Sequence, residues 1–289
     1  MRAAGRRARV CHGKGKEVSM AKRQDVTSRE YKVMLRASLF DGDDAAMRQA
    51  VHRFWSDVAK ALEPLDIPTT ETFSEVKARR LIRFFDTDEH MLHGDSYIVR
   101  EREDKATGER EVTLKFRHPD RYIASDRSMA AAKASEVKTK FEEDVKPPFT
   151  SVFSFSTTQP LESGQVLKQM SDVADLFPGL ADALEDLPQD APLVLVKDFV
   201  GREVVLEGAQ LLLGSRDMAA DCALVVWYDE GEKDTTPVVA EFSFKYGDEE
   251  EQYRASVAKD AYAILGLLQN GLTDWVDPNP RTKTAFVYS

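Results

Sequence analysis

The chain has 289 residues, 42% of them hydrophobic and 31% charged, with a formal net charge of −10. That length suffices for one large domain or two ordinary ones, and no apolar run is long enough to cross a bilayer as a helix. The acidic balance argues against a general nucleic-acid coat but allows a basic cluster inside an acidic shell; two cysteines, Cys11 and Cys222, are too few for a disulfide framework and point to a reducing, cytoplasmic setting.

The first nineteen residues, "MRAAGRRARVCHGKGKEVS", are basic, rich in small residues and without periodicity. They lack the apolar core of a secretory signal. Residues 1–24 are expected to form a disordered extension. Lys16 and Glu17 can be encoded by a purine-rich ribosome-binding sequence, which makes Met20 the expected start in a bacterium. Residues 25–289 read as a single domain, because no linker is long enough to force a boundary.

The first alternating stretch is 27–36. Ser28, Glu30, Lys32, Met34 and Arg36 fall on one side and Tyr31, Val33 and Leu35 on the other, which predicts a strand with an apolar back. A helix follows, opened by aspartates, with Met47, Val51, Phe54, Trp55, Val58 and Leu62 on one face and Pro64 as its stop. His52 falls on its flank, without a role. Residues 75–85 read as a second strand that runs into a loop at Asp86-Thr87. In that loop Asp88, His90 and His93 read as a polar turn in preference to a transition-metal site.

Residues 96–117 then read as a hairpin turning over 104–108. Tyr97, Val99 and Glu101 face one way, Ile98, Arg100 and Arg102 the other. On the return strand Val112, Leu114 and Phe116 share a face opposite Thr113, Lys115 and Arg117. The second face collects four cations with Glu111 among them, and like charges across a strand pair repel. Such a face is either a solvated sheet surface or the wall of an anion site.

Further on, 124–135 predicts a short helix or helical linker. Lys138, Lys140, Glu142 and Asp144 share one face of the next strand, and "FTSVFSFS" gives another. Residues 162–187 read as helix with breaks at Pro178 and Pro188. Two strands around a turn fit 193–214, and one strand fits 222–231. In "PVVAEFSFKY", Glu241, Ser243 and Lys245 alternate with Phe242, Phe244 and Tyr246. A C-terminal amphipathic helix is predicted over 253–269, and the tail "PRTKTAFVYS" is expected to add an edge strand.

At least four strands thus carry an apolar back and a front with charges of both signs. An open sheet would leave those fronts in water. A closed barrel of about eight strands would turn them inward around a small ligand. Interleaved carboxylates are then either counter-ions or oxygen ligands for a divalent metal.

These motifs, in order, resemble the CYTH domain of the triphosphate tunnel metalloenzyme superfamily. "SREYK" is similar to the family's opening Glu-x-Glu-x-Lys, with Ser28 at the first Glu. "FFDT" at 84–87, "VRER" at 99–102, "TLK" at 113–115, "KTKFEED" at 138–144 and "AEFSFK" at 240–245 resemble later elements, with Ser243 at a second missing Glu. The resemblance covers Ser28 to Lys245. It implies an α+β fold: a closed eight-stranded antiparallel β-barrel, or tunnel, with flanking helices. It implies metal-dependent hydrolysis of inorganic, nucleoside or thiamine triphosphate with Mg²⁺ or Mn²⁺. Capture of a polyphosphate or nucleotide without turnover, and adenylate cyclisation, are the alternatives. By resemblance Arg100, Arg102, Lys115, Lys138 and Lys140 would grip phosphates, with Lys197 and Arg202 as further contacts. Glu30, Glu142, Asp144 and Glu241 would ligate metal, and Glu30 and Lys32 would be catalytic, Lys32 acting on the attacking water. The implied partner is a small polyphosphate or nucleotide, with no membrane and no general nucleic acid. Serine is a poorer Mg²⁺ ligand than a carboxylate, so Ser28 and Ser243 predict weaker metal affinity, a different ion stoichiometry or no catalysis.

Overall fold

The computed structural model describes residues 24–133, 136–184, 188–215, 218–231 and 235–289. The proposed start at Met20, Cys11 and all of the expected extension but Gln24 lie outside them. The strands are β1 (Ser28–Leu35), β2 (Thr69–Thr70), β3 (Glu75–Asp86), β4 (Tyr97–Asp104), β5 (Arg110–His118), β6 (Lys138–Lys146), β7 (Thr150–Leu161), β8 (Val194–Glu207), β9 (Gln210–Leu213), β10 (Met218–Asp229) and β11 (Pro237–Gly247). The helices are α1 (Asp44–Leu62), α2 (Met91–Gly94), α3 (Arg121–Ser125), α4 (Met170–Leu176), α5 (Pro178–Ala183), α6 (Ala255–Gly271) and α7 (Lys283–Tyr288).

Nine strands close into a ring in the order β11-β1-β6-β7-β5-β4-β3-β8-β10, with β10 pairing back to β11; β9 and β2 hang from β10. The expected eight antiparallel strands are corrected to nine. A ring with an odd number of strands cannot alternate direction throughout, and the one parallel junction is β1 with β6. There Ser28 lies beside Glu142 and Glu30 beside Asp144.

The apolar backs face outward, beneath the helices. Asp43 caps α1 by accepting the Ala46 N–H at 2.9 Å. The helix buries Phe54, Trp55 and Val58 against Phe242 and Phe244 of β11, and α6 adds Ile264, Leu265 and Leu268 to the same core. Phe54 meets Phe242 edge-on at 5.2 Å. Each such side chain contributes roughly 1.5–3 kcal/mol by leaving water. A second outer core places Val99, Leu114, Phe116 and Phe155 under α2, α3, α4 and α5.

A third apolar cluster occupies the inside of the barrel at one end. Met34, Ile82, Phe84, Ile98, Val225, Trp227 and Val239 fill it. Each continues the inward face of its strand, so parity alone puts them in line with the charged residues. Helix α7 closes over them: Val287 is 2% exposed in this cluster, and Phe286 packs edge-on to Phe199 at 5.5 Å. The expected edge strand at the tail is therefore corrected to a helix, capped where Thr282 Oγ1 accepts the Ala285 N–H at 3.2 Å. At this end the lumen of the barrel is filled by these side chains and by α7. The helix expected over 162–187 is also corrected. It reduces to α4 and α5, broken at Phe177, next to the expected break near Pro178, with 162–169 outside any helix and 185–187 outside the described residues. Of the stretch 124–135, only 124–125 are helical among the described residues. Among the described residues no helix is long and apolar enough to cross a membrane.

Candidate functional site: a charge-lined pocket in the barrel

The inward fronts of the strands enclose a cavity of about 1700 Å³. Its carboxylate wall is the run β11-β1-β6, which carries Glu241, Glu30 and Glu142, with Asp144 beside Glu30 at the parallel junction. The facing wall is β4 and β5, with Arg100, Arg102, Lys115 and Arg117, and Arg80 of β3 and Glu203 of β8 complete it. Between Lys115 of β5 and Lys140 and Glu142 of β6 lies β7, which there turns Ser154, Ser156 and Thr158 inward. These small hydroxyl residues leave room for the long side chains on either side to meet above them. Lys115 Nζ and Arg117 Nε reach Asp144 Oδ2 at 3.5 and 3.8 Å, and Ser154 Oγ donates to the same oxygen at 3.1 Å.

Lys32 Nζ bridges the parallel junction, 2.9 Å from Glu30 Oε2 and 2.8 Å from Asp144 Oδ1. Burial opposes its charge, but Asp144, Glu30 and Glu241 outweigh burial, and its pKa rises above the usual lysine value. Burial likewise opposes the Asp144 carboxylate, and Lys115, Lys32 and Arg117 hold it well below the usual range. Glu30 is lowered as well, by Lys32 against burial and the nearby Asp144. One carboxylate shared among three cations cannot satisfy all of them. Burial pulls Lys115 down to about 8, and Asp144 only partly offsets burial together with repulsion from Arg117 and Lys32.

Arg100 is under similar stress. Burial and the neighbouring Arg102 bring it down to about 9. Among the described residues it has no carboxylate within ion-pair distance, and its Nε, like that of Arg102, is buried without a hydrogen-bond acceptor. Glu203, 1% exposed, sits 3.4 Å from Arg102 Nε and 3.6 Å from Arg80 Nη1, without hydrogen-bond geometry to either, and accepts the Trp227 indole N–H at 3.0 Å. Burial opposes its charge, yet Arg102, Lys283, Arg80 and Arg100 hold it at about 2.

The structure thus brings Glu30, Lys32, Arg100, Arg102, Lys115, Glu142 and Glu241 to one cavity, with Asp144 tied to it through Lys32, Lys115 and Arg117. Lys138 and Lys140 are exposed at its mouth. Lys197 and Arg202 it places elsewhere. Lys197 is exposed at φ 53° where β8 is irregular. Arg202 points outward over the Tyr228 ring at 4.2 Å, because Glu203 takes the inward position. Ser28 Oγ donates to Glu142 Oε1 at 2.8 Å. His90 and His93 pack against Tyr288, and among the described residues no three His, Cys, Asp or Glu side chains form a metal-holding group. Sequence reasoning missed Arg80 and Glu203, although strand parity could have found both. It also missed Lys283, which no strand pattern could have shown.

The closed, charge-lined barrel is the form that the CYTH resemblance implies. No family model matches the chain, and no curated protein matches it. Among solved structures it is similar to a candidate adenylyl cyclase from Hippeastrum described as having a dominant triphosphatase activity, at 12% identity over 90% of this chain and 95% of that one, with a TM-score of 0.43. A candidate adenylate cyclase from Bacillus halodurans is 14% identical over 92% and 99%, with a TM-score of 0.42. Another from Vibrio parahaemolyticus is 8% identical over 92% and 100%, at 0.33.

Proposed function

We propose that the pocket binds a linear polyphosphate, free or as the tail of a nucleotide or thiamine, and hydrolyses one of its phosphoanhydride bonds with Mg²⁺ or Mn²⁺. The supporting observation is the cation wall. Arg100, Arg102, Lys115 and Arg117 are pressed together, and the Nε atoms of Arg100 and Arg102 have no acceptor. Phosphate oxygens supply both the charge and the acceptors that this wall requires.

The carboxylates suit a metal that arrives on its phosphate better than a resident one. Mg²⁺ is commonly held by one or two carboxylates plus substrate oxygens. Glu30 and Asp144, neighbours across the parallel junction, are the pair that would hold it; there it would neutralise charge developing on the phosphate. Lys32 already bridges that pair, so the metal would share it with the ammonium; Glu142 accepts from Ser28, and Glu241 pairs with Lys283.

Lys32, held protonated by two carboxylates, is no general base. Its role is to donate hydrogen bonds that place the water and the phosphate. Positioning suffices where the transition state is loose. The water oxygen bonds to phosphorus as the bridging P–O bond breaks; one water proton stays on the phosphate that forms, and the other passes to the departing phosphate oxygen or to solvent. The test is phosphate release from tripolyphosphate and ATP with Mg²⁺ and with Mn²⁺. Release should fall at least a hundredfold in Glu30→Gln, and unchanged release would reject the assignment. Ser28 and Ser243, standing where carboxylates would strengthen a metal site, favour a second reading, capture without turnover. Tight binding in a chelator with no product would select it.

A further inference from the structure

Helix α7 carries a lysine into the pocket from the filled end of the barrel. Lys283 Nζ lies 2.7 Å from Glu241 Oε1, a carboxylate 5% exposed, and 5.8 Å from the Trp227 ring centroid. The helix is fixed at three further points. Arg117 Nη1 donates to Thr284 Oγ1 at 3.0 Å. Phe286 and Val287 join the internal apolar cluster. At its last turn, the Tyr288 hydroxyl donates to Asp86 Oδ2 at 3.2 Å while His93 stacks on its ring at 4.1 Å. Asp86 is itself anchored, accepting the backbone N–H groups of Thr87, Leu92 and His93.

We propose that Lys283 is the resident counter-ion of Glu241, so that this carboxylate docks the C-terminal helix and neutralises its lysine inside the pocket instead of ligating a metal. Glu241 stands alone on its strand as a donor, because the next inward residue is Ser243. An ammonium 2.7 Å away satisfies it. The arrangement sets the electrostatics of the anion site. The pair is neutral as built; without Lys283 the pocket gains a bare negative charge, and without the Glu241 charge it gains a free ammonium.

The inference rests on the phosphate-binding reading for its ligand arm only. Tripolyphosphate affinity is measured by calorimetry on the full chain, with and without Mg²⁺. Glu241→Gln should tighten binding and Lys283→Met weaken it, each on the order of tenfold, the effect of one unit charge at about 10 Å in a partly wet interior. The double variant should return close to the parent value. Met keeps most of the aliphatic length of the lysine, which limits damage to folding. Weaker binding in Glu241→Gln, confined to the Mg²⁺ experiment, would make Glu241 a metal ligand and overturn the proposal. A second arm needs no ligand: hydrogen exchange over 283–289 should rise in both single variants, and unchanged protection in both would overturn it too. If the parent chain binds no tripolyphosphate, the phosphate reading falls, and the exchange arm still decides the role of Lys283.

Discussion

Lys32 and Asp144 are joined at 2.8 Å across the one parallel junction among the described strands, and Glu30 closes the same ammonium from the other side at 2.9 Å. A cation thus holds together two carboxylates that would otherwise repel. Removing one member of such a buried group leaves the others uncompensated. Lys32→Met is therefore expected to lower the unfolding free energy by about 3 kcal/mol, and Lys32→Met with Glu30→Gln to recover part of that. Urea denaturation at pH 7 measures both. A single variant as stable as the parent would mean that the bridge does not form in solution.

Lys115 makes the pocket sensitive to alkaline pH. Its folded pKa is depressed to about 8 from the ordinary 10.5. Between those values the unfolded chain holds more protons than the folded one, so the empty protein gains stability from this group as pH rises from 8 to 10.5. Anion binding runs the other way, since a phosphate favours the ammonium. Binding of tripolyphosphate at pH 8.5 should take up protons, read by calorimetry in two buffers of different ionisation enthalpy. Lys115→Met should abolish most of the uptake; uptake of the same size in that variant would assign it to another group.

Glu203 contributes at the acid end. Its folded pKa is held at about 2, below the ordinary 4.5. Its contribution is present above pH 4.5 and is lost as pH falls toward 2. Glu203→Gln should lower stability at pH 7 by about 3 kcal/mol, because Arg80 and Arg102 lose a buried counter-ion. It should also flatten the fall in Tm between pH 5 and pH 3. A variant whose Tm falls as steeply as the parent's over that range would contradict the assignment.

Gly201 sits beneath Ile82 at the filled end of the barrel. A Cβ there would meet Ile82 Cγ1 at 2.7 Å and Cδ1 at 2.9 Å, and Ile82 is fully buried. Gly201→Ala is expected to cost about 1–3 kcal/mol through overpacking. Gly201→Ala with Ile82→Val should recover a share of it, by comparison of denaturation midpoints. Equal midpoints for Gly201→Ala and the parent would show that the floor can yield.

Much of the barrel was legible in the residues because a strand has a fixed two-residue period. That period put Arg100 and Lys115 on one face and Val99 and Leu114 on the other, and it paired Glu30 with Lys32 and Glu142 with Asp144. It was equally able to find Arg80 and Glu203, and to assign Arg202 outward opposite its inward neighbour, had those strands been read by parity and not by motif. The serines of β7 carried a signal of the same kind, since only small inward side chains let Lys115 and Asp144 meet across an intervening strand.

What the sequence determined by itself was local: which side chains share a face, where α1 and α6 bury their apolar stripes, and that charge of both signs lies opposite apolar backs. The tertiary structure alone decided that nine strands close with one parallel junction, that one end of the lumen is filled, and that Lys283 reaches Glu241. Ring closure and the docking of a six-residue helix depend on contacts between segments far apart in the chain, and local periodicity carries no information about which distant segments will meet.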